Sequence, residues 1–274
     1  MTHDVAAIRA RFRELHKEGC FVLPNPWDVG SARLFQHMGF KALASTSSGF
    51  AWTIGKPDNG VTCEDVLGHL TALCAAVDLP VNADFEAGFA DAPEGVAANV
   101  TRAIATGIAG LSIEDNVLTA PFGLHDTPRA VERIRAARQA IDQSGADVML
   151  IARTELLFSE PGAITPAIDK LIAFAEAGAD CLFAPGVKKR EDIAAMVRAL
   201  APKPVNVLVV SPEITVRELA DLGVRRISVG GALARAAWGG AIAAAEQILK
   251  EGSFAAFAQA ASGNKLNEIF EGFV

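Results

Sequence analysis

Short apolar segments recur along the chain, and each follows an amphipathic segment that ends in glycine. The clearest examples begin at Gly39, Gly107, Gly178 and Gly223. Glycine is favoured just past the end of a helix, where the backbone turns left-handed, and largely apolar runs are typical of strands covered on both faces. The repeated order of helix, glycine and strand predicts an α/β protein with a parallel sheet.

The same pattern predicts eight strands in all. They cover residues 21–24, 42–46, 80–84, 110–114, 148–153, 181–184, 205–209 and 226–229. The segments between them carry helix start signals, such as Thr62 before two acidic residues and a capping box that opens at Thr215. Eight strand–helix units favour a closed (β/α)8 barrel of the TIM type over an open sheet. No G-x-G-x-x-G motif follows the first strand, which argues against a dinucleotide-binding fold.

We predict a single barrel domain over residues 1–274, because no linker, low-complexity tract or charge run divides the chain. A barrel of this length is ordinary. A long helix over 231–250 and two shorter helical pieces follow the eighth strand, which is more than a barrel needs. This C-terminal extension is expected to pack on a partner subunit, so we expect a homo-oligomer.

Composition narrows the partners and the location. Apolar residues make up 51% of the chain and the formal charge is −7, so we expect no nucleic-acid or membrane partner, whereas a small anion can bind in a locally positive pocket. Residues 1–19 mix apolar and charged positions as an amphipathic helix does, unlike a signal peptide, and a cytoplasmic protein is expected. The four cysteines have no C-x-x-C spacing and are expected to be reduced.

Carboxylates end two neighbouring predicted strands, at the edge where such barrels carry their active sites. Asp84 and Glu86 leave the third strand on one side, and Glu114 ends the fourth. Each alone is more often a helix cap or an ion-pair partner. Three together repel one another unless a cation neutralises them, and oxygen ligands without His or Cys suit Mg²⁺ or Mn²⁺ better than Zn²⁺. The sequence therefore predicts a metal site.

Two further segments at strand ends suggest substrate contacts. Arg153 ends the fifth strand and is either an ion-pair partner of Glu155 or a clamp for a substrate carboxylate. The segment SSGF at 47–50 is either a polar turn or a turn whose amides bind an oxyanion.

With these residues in place, the chain resembles the phosphoenolpyruvate mutase/isocitrate lyase superfamily over nearly its whole length. The motifs are NPWDVGSARL at 25–34, TSSGF at 46–50, ADFEAGF at 83–89, SIED at 112–115 and ARTE at 152–155. The third resembles the family's D-x-D-x-G metal segment, with Glu86 in place of the second aspartate. The combination is specific, although each motif alone is not.

The resemblance implies how the metal is held. Asp84 is expected to ligate Mg²⁺, or Mn²⁺, while Asp58, Glu86 and Glu114 hold its bound waters. For Asp58 this role depends on the resemblance alone, because the segment KPDNG at 56–60 also fits a plain turn.

The resemblance also implies a substrate site. Ser48, the amides of Gly49 and Phe50, and Arg153 are expected to bind an α-oxo carboxylate. Trp27 of the first motif and Asn206 of the seventh strand are expected to contribute to substrate binding. Ser48 and Arg153, together with Asp58, are the residues expected to be catalytic.

The implied enzyme is a Mg²⁺-dependent lyase that cleaves a C–C bond of a small 2-oxo or 2-hydroxy carboxylate through a pyruvate enolate. The neighbouring alternative is P–C bond chemistry, either the phosphoenolpyruvate/phosphonopyruvate mutase reaction or phosphonopyruvate hydrolysis. Family lyases carry K-K-C-G-H on a gating loop, but residues 115–126 here (DNVLTAPFGLHD) contain no cysteine. This departure argues against isocitrate or methylisocitrate cleavage and would fit decarboxylation. His125 in the loop is expected to be exposed and without function.

Two other classes stay open. The turn VGG at 229–231 before the last long helix would suit phosphate, which suggests a metal-free phosphate-binding barrel. Compared with the mutases of the resembled family, the loop after the fourth strand is also shortened, which is compatible with a catalytically silent ligand-binding relative. Subunits of the resembled family commonly exchange the helix after the eighth strand, so a dimer or tetramer built in this way is expected.

Overall fold

The computed structural model of the protein describes residues 4–120 and 123–273. Eight parallel strands form one sheet in the order β1-β8-β7-β6-β5-β4-β3-β2. The strands are β1 (Phe21–Leu23), β2 (Leu43–Ala44), β3 (Val81–Asp84), β4 (Gly110–Glu114), β5 (Met149–Arg153), β6 (Cys181–Phe183), β7 (Val205–Leu208) and β8 (Arg226–Ser228). The expected (β/α)8 barrel is confirmed, and all eight predicted strands are present.

Helices alternate with the strands and cover the sheet. They are α1 (Val5–Leu15), α2 (Val29–His37), α3 (Ser47–Thr53), α4 (Cys63–Ala76), α5 (Pro93–Ala105), α6 (Thr127–Ser144), α7 (Leu156–Ser159), α8 (Ile164–Glu176), α9 (Arg190–Leu200), α10 (Val216–Asp221), α11 (Ala232–Glu251) and α12 (Gly263–Glu271), with a 3-10 helix (Ala255–Gln259) before the last. Within the ranges that the structure describes, no helix is long and apolar enough to cross a membrane.

Local sequence signals explain where these elements begin and end. The four glycines that precede predicted strands have φ between 85° and 104°, a region that residues with a side chain rarely adopt. Thr62 and Thr215 both form capping boxes, at α4 and α10. β2 is shorter than predicted because Thr46 caps α3 through its side chain, which accepts a hydrogen bond from the Gly49 amide.

Asn25 links the strands on either side of the barrel's seam. Its Nδ2 donates to the carbonyl of Ser45 at 2.9 Å, after β2. Its Oδ1 accepts from the amides of Val229 and Gly230, both at 2.9 Å, after β8. One buried carboxamide therefore holds together the carboxyl ends of β8, β1 and β2.

Apolar side chains fill the barrel from its amino-terminal end. Phe12 of α1 is fully buried and packs with interior residues such as Leu23, Met149 and Ile151. Gly110 allows this contact, since a Cβ there would lie 2.7 Å from the Phe12 ring. The interior is thus packed below, and its open space lies towards the carboxyl ends of the strands.

Helix α11 of the C-terminal extension packs little on this chain. In α11 only Ala234 is buried, while Trp238, Ile242 and Leu249 are 44%, 55% and 85% exposed. The predicted helix over 231–250 and the two shorter helical pieces are confirmed. The exchange of this helix between subunits stays a prediction.

Candidate active site

Three of the predicted site residues are the last residues of neighbouring strands. Asp84 ends β3, Glu114 ends β4 and Arg153 ends β5. Arg153 Nη1 lies 3.4 Å from Asp84 Oδ1, and its Nε lies 3.2 Å from Glu114 Oε2. Nε also forms a short ion pair with Glu155, as the structural interpretation of Arg153 expected. Arg153 therefore contacts three carboxylates.

Arg153 also borders two cavities at this end of the barrel. Asp84 and Ser48 line a cavity of about 220 Å³ that enters the barrel. Glu86 and Glu114 line a neighbouring cavity of about 540 Å³, beneath the loop after β4. Ser47, Asp58, Arg153 and Phe158 line both. The predicted metal-binding carboxylates thus lie on two sides of one guanidinium.

Glu86 is a buried carboxylate of this cluster that forms no ion pair among the described residues. It is 7% exposed, and its Oε1 has no hydrogen-bond partner in the part of the chain that the structure describes. Burial, together with the nearby Asp84, Glu114 and Asp58 carboxylates, raises the pKa of Glu86 to about 8, against the effect of Arg153. Its backbone has φ +47°, an uncommon value for a residue with a side chain. A buried, unpartnered carboxylate beside others fits a site that a divalent cation would neutralise.

The described residues contain no group of three or more His, Cys, Asp or Glu side chains arranged to ligate one ion directly. A site with Asp84 as one direct ligand, and Glu86 and Glu114 acting through water, does not need such a group. The donor set contains only oxygen, which suits Mg²⁺ or Mn²⁺. The residues present therefore fit the expected cation.

Arg133 of α6 fixes the backbone that presents Glu86 and Glu114. It is 1% exposed and donates to the Glu114 carbonyl at 2.9 Å, to the Ala90 carbonyl at 3.1 Å and to the Ala87 carbonyl. The Glu114 amide in turn donates to the Glu86 carbonyl at 3.0 Å. The burial of Glu114 raises its pKa, against the effect of Arg153.

The segment SSGF at 47–50 is the first turn of α3, and not an open turn. The Ser47 amide donates to Asp84 Oδ2 at 2.9 Å, which connects this helix to the carboxylate cluster. The Gly49 amide donates to Thr46 Oγ1 at 3.2 Å, and the Phe50 amide donates to the Thr46 carbonyl at 3.0 Å. Both amides expected to bind substrate are therefore occupied within α3 in this structure.

The remaining predicted residues differ in position. Asp58 is exposed on the loop between α3 and α4 and faces both cavities. Trp27 packs edge to face on Phe35, with ring centroids 6.1 Å apart. Asn206 is fully buried, donates to Ser228 Oγ at 2.9 Å and accepts from Arg226 Nε at 2.9 Å. Neither Trp27 nor Asn206 is among the described residues that line the two cavities.

The loop after β4 is held in place by a buried ion pair. Lys170 Nζ lies 2.6 Å from Asp115 Oδ2 and donates to the His125 carbonyl at 2.7 Å. The expectation that His125 is exposed is wrong, since its side chain is 10% exposed and Nε2 lies 3.3 Å from Asp91 Oδ1. The loop encloses it because Asn116 and Leu124 form a β-bridge. Residues 121 and 122 of this loop lie outside the described ranges.

The glycine turn at 229–231 has little capacity for phosphate. Its first two amides donate to Asn25, so these donors are already used. Gly231 instead permits close packing, because a Cβ there would lie 2.8 Å from Ser48 Oγ. The turn thus supports Ser48 at the edge of the smaller cavity.

The sequence patterns did not predict a role for Arg133, Lys170 or Arg226, and Asn25 was noted only as part of a motif. All four have buried polar side chains. Their sequence signal is a polar residue on an otherwise apolar helix face or strand, which shows that a partner exists without showing which one.

Comparisons with known proteins identify the family of this chain. A family model described as phosphoenolpyruvate phosphomutase matches residues 12–249. A crystal structure from Burkholderia cenocepacia J2315, assigned provisionally as a lyase/mutase, is 41% identical, with a TM-score of 0.94 and 97% of each chain covered. Oxaloacetate decarboxylase of Paraburkholderia xenovorans LB400 is 29% identical over 82% of this chain and 75% of that protein. The structure of 2,3-dimethylmalate lyase is 28% identical, with a TM-score of 0.85 over 98% of this chain and 95% of that one. The chain therefore belongs to the phosphoenolpyruvate mutase/isocitrate lyase superfamily.

Proposed function

We propose that the protein is a Mg²⁺-dependent lyase that cleaves a C–C bond of a small 2-oxo or 2-hydroxy carboxylate through a pyruvate enolate. The observation that carries this proposal is the position of Arg153 between Asp84 and Glu114, at 3.4 and 3.2 Å, beside the unpartnered carboxylate of Glu86. A divalent cation bound here supplies positive charge opposite the developing enolate oxygen.

The chain's own groups bind and orient the substrate. Arg153 presents a planar guanidinium over the Phe183 ring, 5.2 Å from its centroid, which limits the directions from which a carboxylate can approach. Ser48 offers a hydroxyl at the edge of the same cavity. Asp84 is itself oriented by the Ser47 amide, so the carboxylate and the substrate pocket are positioned by one short helix.

Relatives support cleavage of a C–C bond, because the similar proteins include an oxaloacetate decarboxylase and a 2,3-dimethylmalate lyase. The family model is described as a phosphomutase, which supports P–C chemistry as the second candidate. Formation of phosphonopyruvate or release of phosphate would distinguish this candidate from a C–C lyase.

The test is a screen of oxaloacetate, methylisocitrate, 2,3-dimethylmalate and phosphonopyruvate with Mg²⁺, in which released pyruvate is detected. We expect one of the carbon acids to be cleaved, EDTA to abolish cleavage, and Asp84→Ala to lower it at least about 100-fold. Asp142→Asn is the control, because Asp142 is a surface residue, 63% exposed, paired with Arg138. Cleavage that survives both EDTA and Asp84→Ala would contradict the proposal.

We also propose that α11 packs against a second copy of the chain and that the two copies exchange this helix. The exposed Trp238 and Ile242 support the proposal, because a 20-residue helix with one buried residue gains little from packing within a single chain. A dimer or tetramer would cover these side chains.

A further inference from the structure

A buried arginine in the barrel has no carboxylate partner. Arg226 is the first residue of β8, in register with Phe21 of β1 and Asn206 of β7, and is 2% exposed. Its Nε donates to Asn206 Oδ1 at 2.9 Å, and its Nη1 lies 3.4 Å from His16 Nε2. His16 is a neutral partner, because its burial lowers its pKa to about 3. Both contacts are therefore with uncharged groups.

Arg226 and Arg153 differ in their charged partners. Arg153 contacts three carboxylates, whereas no carboxylate of residues 4–120 or 123–273 forms an ion pair with Arg226. Arginine stays protonated in proteins, and an isolated buried charge is costly unless something compensates it. The described residues that line the cavity therefore leave the positive charge of Arg226 uncompensated.

Arg226 borders the same cavity as Asp84, Arg153 and Ser48. The hydroxyls of Ser112 and Ser228 line the cavity beside it, as does Asn82, whose buried Oδ1 has no hydrogen-bond partner among the described residues. This part of the cavity therefore holds an arginine without an ion pair and a buried amide oxygen without a partner among those residues.

The cavity between Arg226 and the carboxylate cluster suits a small ligand. Its volume is about 220 Å³, which is below the usual range for drug-sized ligands. Phe183, Leu208 and Val210 form an apolar wall along it. A short carbon chain with an anionic group at its inner end matches this lining.

We propose that Arg226 is a specificity residue that binds a carboxylate of the substrate inside the barrel, so that the favoured ligands carry a second carboxylate away from the reacting carbons. The role of the bound molecule as a substrate rests on the proposed function. The preference for two carboxylates is a binding property and can be measured without turnover.

The test compares two ligands of equal length, malate and 2-hydroxybutyrate. In 2-hydroxybutyrate a methyl group replaces the distal carboxylate of malate. Binding is measured by isothermal titration calorimetry, once with Mg²⁺ and once with EDTA. We expect the wild-type protein to bind malate about 10- to 100-fold more tightly, the range for a hydrogen-bonded charge pair. Arg226→Met should reduce this ratio to within about 3-fold.

Two more variants separate binding from structural support. His16→Asn removes a contact with the same guanidinium without altering the cavity lining, so it should keep the wild-type ratio even if the protein melts earlier. Arg226→Lys keeps the charge and loses the planar fork, so malate affinity should fall at least about 3-fold while 2-hydroxybutyrate affinity stays the same.

The proposal is overturned if the wild-type protein binds both ligands equally. It is also overturned if the Arg226→Met protein keeps the wild-type ratio. If Arg226→Met does not fold, unchanged malate affinity in folded Arg226→Lys has the same consequence. Absence of any lyase activity together with a malate preference that depends on Arg226 would refute the proposed function and leave the carboxylate site standing.

Discussion

Arg153 forms an ion pair with Asp84, and its Nη1 lies 3.4 Å from Asp84 Oδ1 where β5 and β3 end. The guanidinium also contacts Glu114 and Glu155. A cation that binds Asp84 would compete with Arg153 for this carboxylate and leave the guanidinium freer to bind a substrate anion. The pair thus connects the proposed metal site and the proposed substrate site.

Replacement of Arg153 by lysine tests this connection. Lysine keeps one charge but cannot form two parallel hydrogen bonds with a carboxylate, so we expect kcat/KM for pyruvate release to fall about 100-fold, mostly through KM. Arg129→Lys, at an exposed arginine paired with Glu132, is the matched control. An Arg153→Lys enzyme within a few-fold of wild type would show that Arg153 serves only the ion pairs.

The buried pair of Lys170 and Asp115 should be important for stability. Lys170→Met leaves the Asp115 carboxylate, 1% exposed, without its cation, and breaking a buried pair in this way costs about 3–5 kcal/mol. Urea unfolding should show this loss. Arg129→Met, which removes the exposed pair with Glu132, should change stability by less than about 1 kcal/mol. Equal effects of the two variants would contradict the account.

Two buried histidines predict how stability depends on pH. Burial lowers the pKa of His16 to about 3 and that of His69 to about 4, from 6.5. The unfolded chain therefore binds more protons than the folded one between these values and 6.5, so stability is present above 6.5 and is lost as the pH falls.

The size of this effect can be measured. His16 alone should contribute about 2 kcal/mol of loss between pH 7 and pH 5. Urea unfolding at both values should show a smaller loss for His16→Asn than for wild type, since asparagine does not titrate. His37 is exposed, so His37→Asn is the control variant. An identical pH dependence in wild type and His16→Asn would contradict the assignment.

The exposed face of α11 predicts the assembly. Trp238 and Ile242 are four residues apart and lie on one face of the helix, so Trp238→Glu should place a charge in the proposed interface and produce monomers in light-scattering measurements. Ile172→Glu, on the exposed side of α8 at 36% exposure, should leave the assembly unchanged. A wild-type protein that is already monomeric would refute helix exchange.

The barrel could be predicted from the sequence because the signals for its helices and strands are local and repeated. Glycines such as Gly107 and Gly178 mark helix ends, and apolar runs follow them. The ends of β3, β4 and β5 could also be predicted, since barrel geometry brings Asp84, Glu114 and Arg153 together wherever they stand in the chain.

Other parts of the site depend on long-range packing. Arg133 binds the Ala87 and Glu114 carbonyls across 46 and 19 residues of chain, and no local pattern shows this. The family resemblance implied that the amides of Gly49 and Phe50 bind substrate. The Thr46 side chain caps a helix there instead, which only the surrounding backbone decides.

We propose that Asp84 holds a divalent cation at the carboxyl ends of the strands. The most direct measurement is Mn²⁺ binding, followed by electron paramagnetic resonance of the free ion, in wild type and in Asp84→Ala. We expect one saturable site per chain, weakened at least about 100-fold by the substitution and unchanged in Asp142→Asn. Wild-type affinity in Asp84→Ala, or no saturable binding in wild type, would contradict the account.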